Sequence, residues 1–211
     1  MTAILFDLDG TLLDTLDDLA DAVNVTLAHF GCPPRSREQV RQFVGNGAER
    51  LMRLALPGSA GDPPVGEALA WFKEYYAANA QHKTCPYPGI PEALAEIGQV
   101  FPIAIVSNKP DRAVKVLCSQ YFGDVYARGE SSDCPRKPAP DMVHKAMAAI
   151  GAEKCIYVGD SEVDVQTAKN AGVPCLSVLW GFRDRQTLEK AGATHFCQTP
   201  ADLLKTLKEM I

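Results

Sequence analysis

The sequence predicts an α/β protein with a buried parallel sheet and a small helical cap inserted after the first strand. From residue 90 onward, short apolar strand-like runs alternate with helical stretches. Near-continuous apolar strands of this kind are typical of a parallel sheet covered on both faces, which gives a three-layer core. Residues 15–85, by contrast, read as helices without an intervening strand, which indicates a separate helical unit.

The order of the elements follows from local patterns along the chain. The apolar run 3–6 predicts the first strand, and Pro and Gly at 86–89 return the chain from the insertion. We therefore expect a core domain made of residues 1–14 and 86–211 and a cap domain made of residues 15–85. Cap helices are predicted at 12–30, 37–56 and 65–80; core strands at 102–106, 125–127, 155–158, 175–178 and 194–197; core helices at 91–97, 111–120, 141–150 and 163–171.

Composition excludes several classes of protein. A net charge of -5 and a pI near 5.4 argue against a nucleic-acid partner. The chain shows no signal-peptide pattern and no apolar run long enough to cross a bilayer, so we expect no membrane association. Seven cysteines without a CxxC pair are typical of reduced thiols and predict a cytoplasmic location. Aromatic residues at 71–76 fit either core packing or a dimer, which leaves a monomer or a homodimer open.

Two acids directly follow the first predicted strand. Side chains alternate along a strand, so Asp7 and Asp9 project to the same side. Gly10 permits a sharp turn and a close approach to a ligand, and paired carboxylates favour a divalent cation. The same residues are also ordinary in an acidic turn that caps a helix.

Polar residues follow three further predicted strands. Ser107 and Asn108 stand at the start of a helix, where backbone N–H groups favour anions, although Ser107 also suits an N-cap. Lys137 offers a compact cation in a proline-rich loop, or is simply solvated there. Asp160 and Asp164 open a helix, where acids are common in any case. Because ligands bind at the carboxyl ends of parallel strands, all four groups together predict a metal-assisted phosphate site.

These residues resemble the four sequence motifs of the haloacid dehalogenase superfamily. The motifs are Asp7-Leu8-Asp9-Gly10-Thr11, Ser107, Lys137-Pro138 and Gly159-Asp160 through Asp164, in the order that the superfamily shows. The resemblance implies a Rossmann-like core with a helical cap. It also implies a Mg²⁺ ion held by Asp7, the backbone carbonyl of Asp9 and Asp160, with Asp164 either as a further ligand or as a residue that orients the ligands.

The resemblance further implies how the catalytic work is divided. Asp7 is expected to attack phosphorus and form an aspartyl-phosphate, while Asp9 acts as general acid and base. Ser107, Asn108 and Lys137 are expected to bind the transferring phosphoryl group, with Lys137 also restraining Asp7. Asp9 counts against dehalogenation, since the dehalogenases that resemble this chain generally lack an acid at that position.

The cap sequence points to a substrate class. The segment 43–48, with Gly45, Asn46 and Gly47 before a helical run, is similar to the cap of phosphoglycolate phosphatases. Free N–H groups there, together with Arg50, Arg41 or Arg53, offer a place for a small carboxylate; a hinge between two helices is the alternative.

The function predicted from the sequence is thus magnesium-dependent hydrolysis of a small phosphorylated metabolite, with phosphoglycolate as the leading candidate. A phosphosugar mutase similar to β-phosphoglucomutase, a pyrophosphatase and a nucleotidase of the same fold are alternatives that would use the same aspartates. A non-catalytic binding protein is a further alternative, against which stands the complete set of catalytic positions.

Overall fold

A computed structural model describes residues 1–59 and 61–211 of the chain, and within these residues a six-stranded parallel sheet forms the centre of the core. The order across the sheet is β5-β4-β1-β6-β7-β8, and the short strands β2 and β3 pair with each other. The strands are β1 (Thr2–Phe6), β2 (Leu13–Asp14), β3 (Cys85–Pro86), β4 (Ile103–Pro110), β5 (Tyr126–Glu130), β6 (Lys154–Gly159), β7 (Cys175–Val178) and β8 (His195–Cys197).

Helices surround this sheet and make up the insertion. The chain divides into two compact units, one formed by Met1–Leu13 with Pro86–Ile211 and the other by Asp14–Cys85. No helix in the described ranges is both long and apolar enough to span a membrane. The helices are α1 (Leu16–His29), α2 (Arg37–Phe43), α3 (Gly47–Ala55), α4 (Val65–Asn79), α5 (Ile90–Gly98), α6 (Asp111–Phe122), α7 (Asp141–Ala149), α8 (Glu162–Ala171), α9 (Arg185–Ala191) and α10 (Leu203–Glu209).

The first strand lies near the middle of the sheet and is buried on both faces. Ile4 and Phe6 pack into the core shared with α5, α6 and α10, whereas Ala3 and Leu5 pack into the core shared with α7 and α8. Such two-sided burial explains why the strands read as nearly continuous apolar runs. The predicted three-layer α/β class is confirmed.

The helical unit has its own packing. Phe72 and Tyr76 are buried, while Trp71 stacks between Tyr75 at 5.5 Å and His29 at 4.7 Å, measured between ring centroids. The aromatic run therefore serves both the interior and the surface of this unit. Its helices also respect the predicted interruption at 45–47, because α2 ends at Phe43 and α3 begins at Gly47.

One strand is longer than its sequence pattern indicates. The apolar run predicts a strand at 102–106, but β4 continues to Pro110 and so carries Ser107, Asn108 and Lys109 within it. Its pairing with β5 shifts register between Val106 and Pro110. Gly129 on β5 explains the close approach: a Cβ there would lie 2.4 Å from the Lys109 carbonyl oxygen. Apolar content alone does not reveal this extension, because the added residues are polar.

Candidate active site

Asp7 directly follows β1 and is almost completely buried. Its Oδ1 atom lies 2.7 Å from Lys137 Nζ and accepts a hydrogen bond from the Leu8 backbone N–H at 2.7 Å. Burial, and next the charge of Asp164, raise the pKa of Asp7 well above its ordinary value, while Lys137 opposes the shift. Asp7 therefore depends on neighbouring cations to remain ionised.

The Lys137 ammonium is held by three side chains in the interior. Its Nζ donates to Asp7 Oδ1 at 2.7 Å, to Asp164 Oδ1 at 2.8 Å and to the Tyr157 hydroxyl at 3.1 Å. Burial alone would lower the pKa of Lys137, but the charges of Asp164 and Asp7 raise it well above its usual range. Lys137 thus stays cationic and holds two carboxylates together.

Asn108 fixes the backbone from which Lys137 projects. Its Oδ1 accepts from the Lys137 N–H at 2.7 Å, and its Nδ2 donates to the Lys137 carbonyl oxygen at 3.0 Å. This pair of bonds places β4 beside the loop that carries the lysine. The contact with phosphate that was expected of Asn108 stays a prediction. The structure shows a second role, in which Asn108 positions the backbone of Lys137.

Two further carboxylates lie at the end of β6. Asp160 accepts from the Thr11 hydroxyl at 3.2 Å and from the Phe182 N–H at 2.7 Å. Burial, and next the charge of Asp164, raise the pKa of Asp160 to about 7. Asp164 accepts from the Ser161 N–H at 3.1 Å and from its hydroxyl at 2.6 Å, closing a capping box at the start of α8.

The donor set fits a divalent cation. Oxygen atoms of Asp7, Asp160 and Asp164 all lie within 4.8 Å of one another, and all three residues are buried. Burial, and next the charge of Asp164, raise the pKa values of Asp7 and Asp160, and Lys137 balances only part of the negative charge of the group. Hard oxygen ligands of this type are those that Mg²⁺ and Ca²⁺ take. A bound divalent cation would supply the missing positive charge.

Asp9 and Ser107 lie at the same edge with different partners. The Asp9 carboxylate does not belong to the three-acid group found in the described residues, and its Oδ1 lies 3.1 Å from Lys109 Nζ without hydrogen-bond alignment. Ser107 is buried, and its hydroxyl accepts from the Lys109 N–H at 3.2 Å. Asp9 was expected to bind the metal only through its backbone carbonyl, so its carboxyl group stays available for the predicted role as general acid and base.

The structure places two residues at the site to which the sequence analysis gives no role. Tyr157 lies in an apolar strand, where nothing marks its hydroxyl as a partner of Lys137 and Asp164. Lys109 could have been found, because alternation along an extended strand places it on the same side as Ser107.

A glycine in the loop after β7 completes the wall around Asp160. A Cβ at Gly181 would lie 2.3 Å from Asp160 Cβ and 2.4 Å from the Gly10 carbonyl oxygen. The neighbouring Trp180 donates from Nε1 to the Thr11 carbonyl oxygen at 3.0 Å, which ties this loop to the one after β1. The backbone of this loop therefore lies so close to Asp160 that a side chain at position 181 would overlap with it.

Gly181→Ala is expected to lower the free energy of unfolding by about 1–3 kcal/mol, because the added methyl group must displace backbone or Asp160. Urea unfolding would measure it. Gly66→Ala is the matched control: it has open space around its Cβ position within α4 and should raise the free energy of unfolding by up to about 1 kcal/mol. Equal unfolding free energies for wild type and Gly181→Ala would contradict the close packing described for this loop.

The predicted cap residues form a turn of their own. Gly45 and Gly47 have positive φ angles of 120° and 80°, and Asn46 is the N-cap residue of α3. Arg50 on α3 is exposed, and among residues 1–59 and 61–211 no ion-pair partner lies beside it. Arg41 and Arg53, by contrast, pair with Glu38 and Glu49.

Comparison with known proteins identifies the family of the chain. Residues 4–178 match the family model described as haloacid dehalogenase-like hydrolase. The chain is 37% identical to phosphoglycolate phosphatase 1 of Pseudomonas aeruginosa, over 95% of this chain and 78% of that protein. It is 36% identical to the phosphoglycolate phosphatase of Rhodobacter capsulatus, over 86% of this chain and 85% of that protein.

A solved structure agrees with the whole fold. A candidate phosphoglycolate phosphatase from Lactobacillus delbrueckii subsp. bulgaricus superposes with a TM-score of 0.89 at 35% identity, covering 97% of each chain. The match covers the inserted helices as well as the sheet. The chain belongs to the haloacid dehalogenase-like hydrolase family.

Proposed function

We propose that this protein is a magnesium-dependent phosphatase that hydrolyses 2-phosphoglycolate through an aspartyl-phosphate on Asp7. The observation that carries the proposal is the buried Lys137 ammonium, 2.7 Å from Asp7 and 2.8 Å from Asp164, with Asp160 in the same group of acids. A nucleophilic carboxylate beside a fixed cation and a metal-binding acid group is suited to phosphoryl transfer, in which positioning and electrostatics supply most of the catalysis.

The first step transfers the phosphoryl group to the protein. A carboxylate oxygen of Asp7 attacks phosphorus, the bond between phosphorus and the ester oxygen breaks, and Asp9 gives its proton to the leaving oxygen. Ser107 and Lys137 hold phosphoryl oxygens. The products of this step are the free alcohol, here glycolate, and the acyl-phosphate on Asp7.

The second step restores Asp7. Water attacks the phosphorus of the acyl-phosphate and passes a proton to Asp9, and the bond from phosphorus to the Asp7 oxygen breaks to release inorganic phosphate. Asp7, Asp160, Asp164 and the Asp9 carbonyl would hold the Mg²⁺ ion, whose charge offsets the repulsion between carboxylate and phosphate dianion. Asp9 ends the cycle protonated, ready for the next ester.

The substrate assignment rests on the relatives and on the cap. Relatives at 36–37% identity are named phosphoglycolate phosphatases. The turn at Gly45, Asn46 and Gly47 leads into α3, which carries Arg50 as an exposed cation. We infer that this part of the cap binds the substrate carboxylate. We also infer a cytoplasmic enzyme, a reading that the seven free thiols support.

Release of inorganic phosphate tests the proposed function. The panel contains 2-phosphoglycolate, glycerol phosphate, glucose 1-phosphate, a nucleoside monophosphate and pyrophosphate, each with Mg²⁺ or with a chelator. We expect the highest kcat/KM for 2-phosphoglycolate and no release with chelator. Faster release from another compound would overturn the substrate, and conversion of glucose 1-phosphate to an isomer without net release would favour a mutase.

Arg50→Gln should raise KM for 2-phosphoglycolate by about 10-fold and leave kcat within about 2-fold, because a charge-assisted bond to the unreacting carboxylate is equally present in the transition state. KM for glycerol phosphate, which has no carboxylate, should not change. Arg53→Gln is the control, since Arg53 is 3.1 Å from Glu49 and is expected to be engaged with it. Equal KM values for wild type and Arg50→Gln would remove Arg50 from the substrate site.

A further inference from the structure

Each of the two aspartates after β1 has a buried lysine of its own. Lys137 contacts Asp7 at 2.7 Å, and Lys109 Nζ lies 3.1 Å from Asp9 Oδ1. The Lys109 side chain is only 3% exposed and that of Asp9 only 16% exposed. We propose that Lys109 is a positioning residue that holds the Asp9 carboxyl group for proton transfer to the leaving group and from water. The inference rests on the proposed function and deepens it.

Lys109 is fixed through its backbone. Its N–H donates to the Ser107 hydroxyl at 3.2 Å, and its carbonyl oxygen lies where a Cβ at Gly129 would be 2.4 Å away. The Gly129 N–H also donates to Asp111 Oδ1 at 3.0 Å, immediately beyond this part of β4. The main chain of Lys109 is thus held from two sides, and its side chain is 3% exposed with the ammonium 3.1 Å from Asp9.

The groups around Asp9 show why the Lys109 ammonium matters. Burial, and next the charge of Asp9, raise the pKa of the nearby Cys118 thiol to about 12, so Cys118 remains a neutral neighbour. Lys137 is occupied with Asp7 and Asp164. Lys109 is therefore the cation that is paired with the Asp9 carboxylate. A buried ion pair of this kind orients both partners.

Holding one oxygen of a carboxyl group directs the other. The charge of Lys109 beside Oδ1 favours the orientation of the Asp9 carboxyl group in which Oδ2 gives a proton to the leaving oxygen and later accepts one from water. Lys109 itself neither gives nor accepts a proton in this scheme. Its effect on formation of the acyl-phosphate should therefore appear only with esters whose leaving group needs the proton of Asp9.

A comparison of two esters tests the proposal. The alcohol of 2-phosphoglycolate is a poor leaving group that needs a proton, whereas p-nitrophenolate leaves as the anion. Lys109→Met should lower kcat/KM for 2-phosphoglycolate by about 10²-fold and kcat/KM for p-nitrophenyl phosphate by less than about 3-fold, because kcat/KM reports the steps up to release of the alcohol and not the later attack of water, which is the same for both esters. Lys109→Arg, which keeps a cation, should recover much of the lost kcat/KM. Lys115→Met, at a lysine that is 63% exposed, should leave both esters unchanged.

A double variant separates positioning from a general structural role. If Lys109 acts through Asp9, adding Lys109→Met to Asp9→Asn should change kcat by less than about 2-fold, because the proton donor is already gone. Equal losses of kcat/KM on both esters, or full additivity in the double variant, would overturn the proposal. A rise in KM for 2-phosphoglycolate with kcat unchanged would overturn it as well and make Lys109 a carboxylate-binding residue.

These outcomes are distinct from failure of the proposed function. If wild-type protein released no phosphate from any ester, or if Asp7→Asn kept its activity, the phosphatase itself would be wrong. If only the Lys109 results departed from expectation, the phosphatase would stand and the role of Lys109 would fall.

Discussion

Asp7→Asn is expected to lower kcat for 2-phosphoglycolate by at least about 10⁴-fold, because an amide cannot replace the carboxylate as nucleophile. The substitution keeps the size of the side chain. Phosphate release with Mg²⁺ measures the loss, and borohydride, which reduces an acyl-phosphate to homoserine, should label position 7 in wild type during turnover and leave the variant unlabelled.

The control for this experiment is Asp124→Asn, the same chemical change at an exposed aspartate between α6 and β5. Its kcat should match that of wild type. Substantial turnover by Asp7→Asn, or homoserine at another aspartate, would show that Asp7 is not the nucleophile.

Lys137→Met should reduce both stability and activity. Removing the ammonium leaves Asp7 and Asp164 buried without the cation that contacts them at 2.7 and 2.8 Å. Loss of one member of a buried ion pair costs about 3–5 kcal/mol, and we expect a decrease of about 3 kcal/mol in the free energy of unfolding because the acids can take up protons instead. We expect kcat to fall by about 10³-fold, because the variant lacks the ammonium group that stabilises the negative charge of the transferring phosphoryl group.

Urea unfolding and phosphate release together check this expectation. Lys145→Met is the matched control: Lys145 is 41% exposed and pairs at 3.2 Å with Asp133, which is 65% exposed. An exposed pair contributes about 0–1 kcal/mol, so this variant should stay close to wild type in both measurements. If Lys137→Met unfolded at the same urea concentration as wild type, the lysine would not hold the two acids together in solution.

Local patterns carry much of the fold. The apolar runs at Ile4, Ile105 and Ile156 predict buried parallel strands, because side chains on both faces must be apolar when helices cover both. Topology then brings the polar ends of these strands to one edge, so Asp7, Ser107 and Asp160 could be assigned to one site before any contact was known.

Other parts of the site depend on pairing between segments that are distant in sequence. The extension of β4 through Lys109 requires Gly129 on β5, and the bond from Tyr157 to Lys137 requires β6 to lie beneath the loop that carries the lysine. Neither contact has a local signal. Asn108 shows the same limit: its residue type suits an anion, whereas its observed bonds go to the Lys137 backbone.

The sequence by itself determined the α/β class, the helical insertion and the edge of the sheet where the acids gather, because periodicity and the chain direction of parallel strands suffice for these. The tertiary structure decided which charges meet: Lys137 with Asp7 and Asp164, and Lys109 with Asp9. The physical reason is that the energy of an ion pair depends on separation and burial, and both quantities are set only when strands, loops and helices pack together.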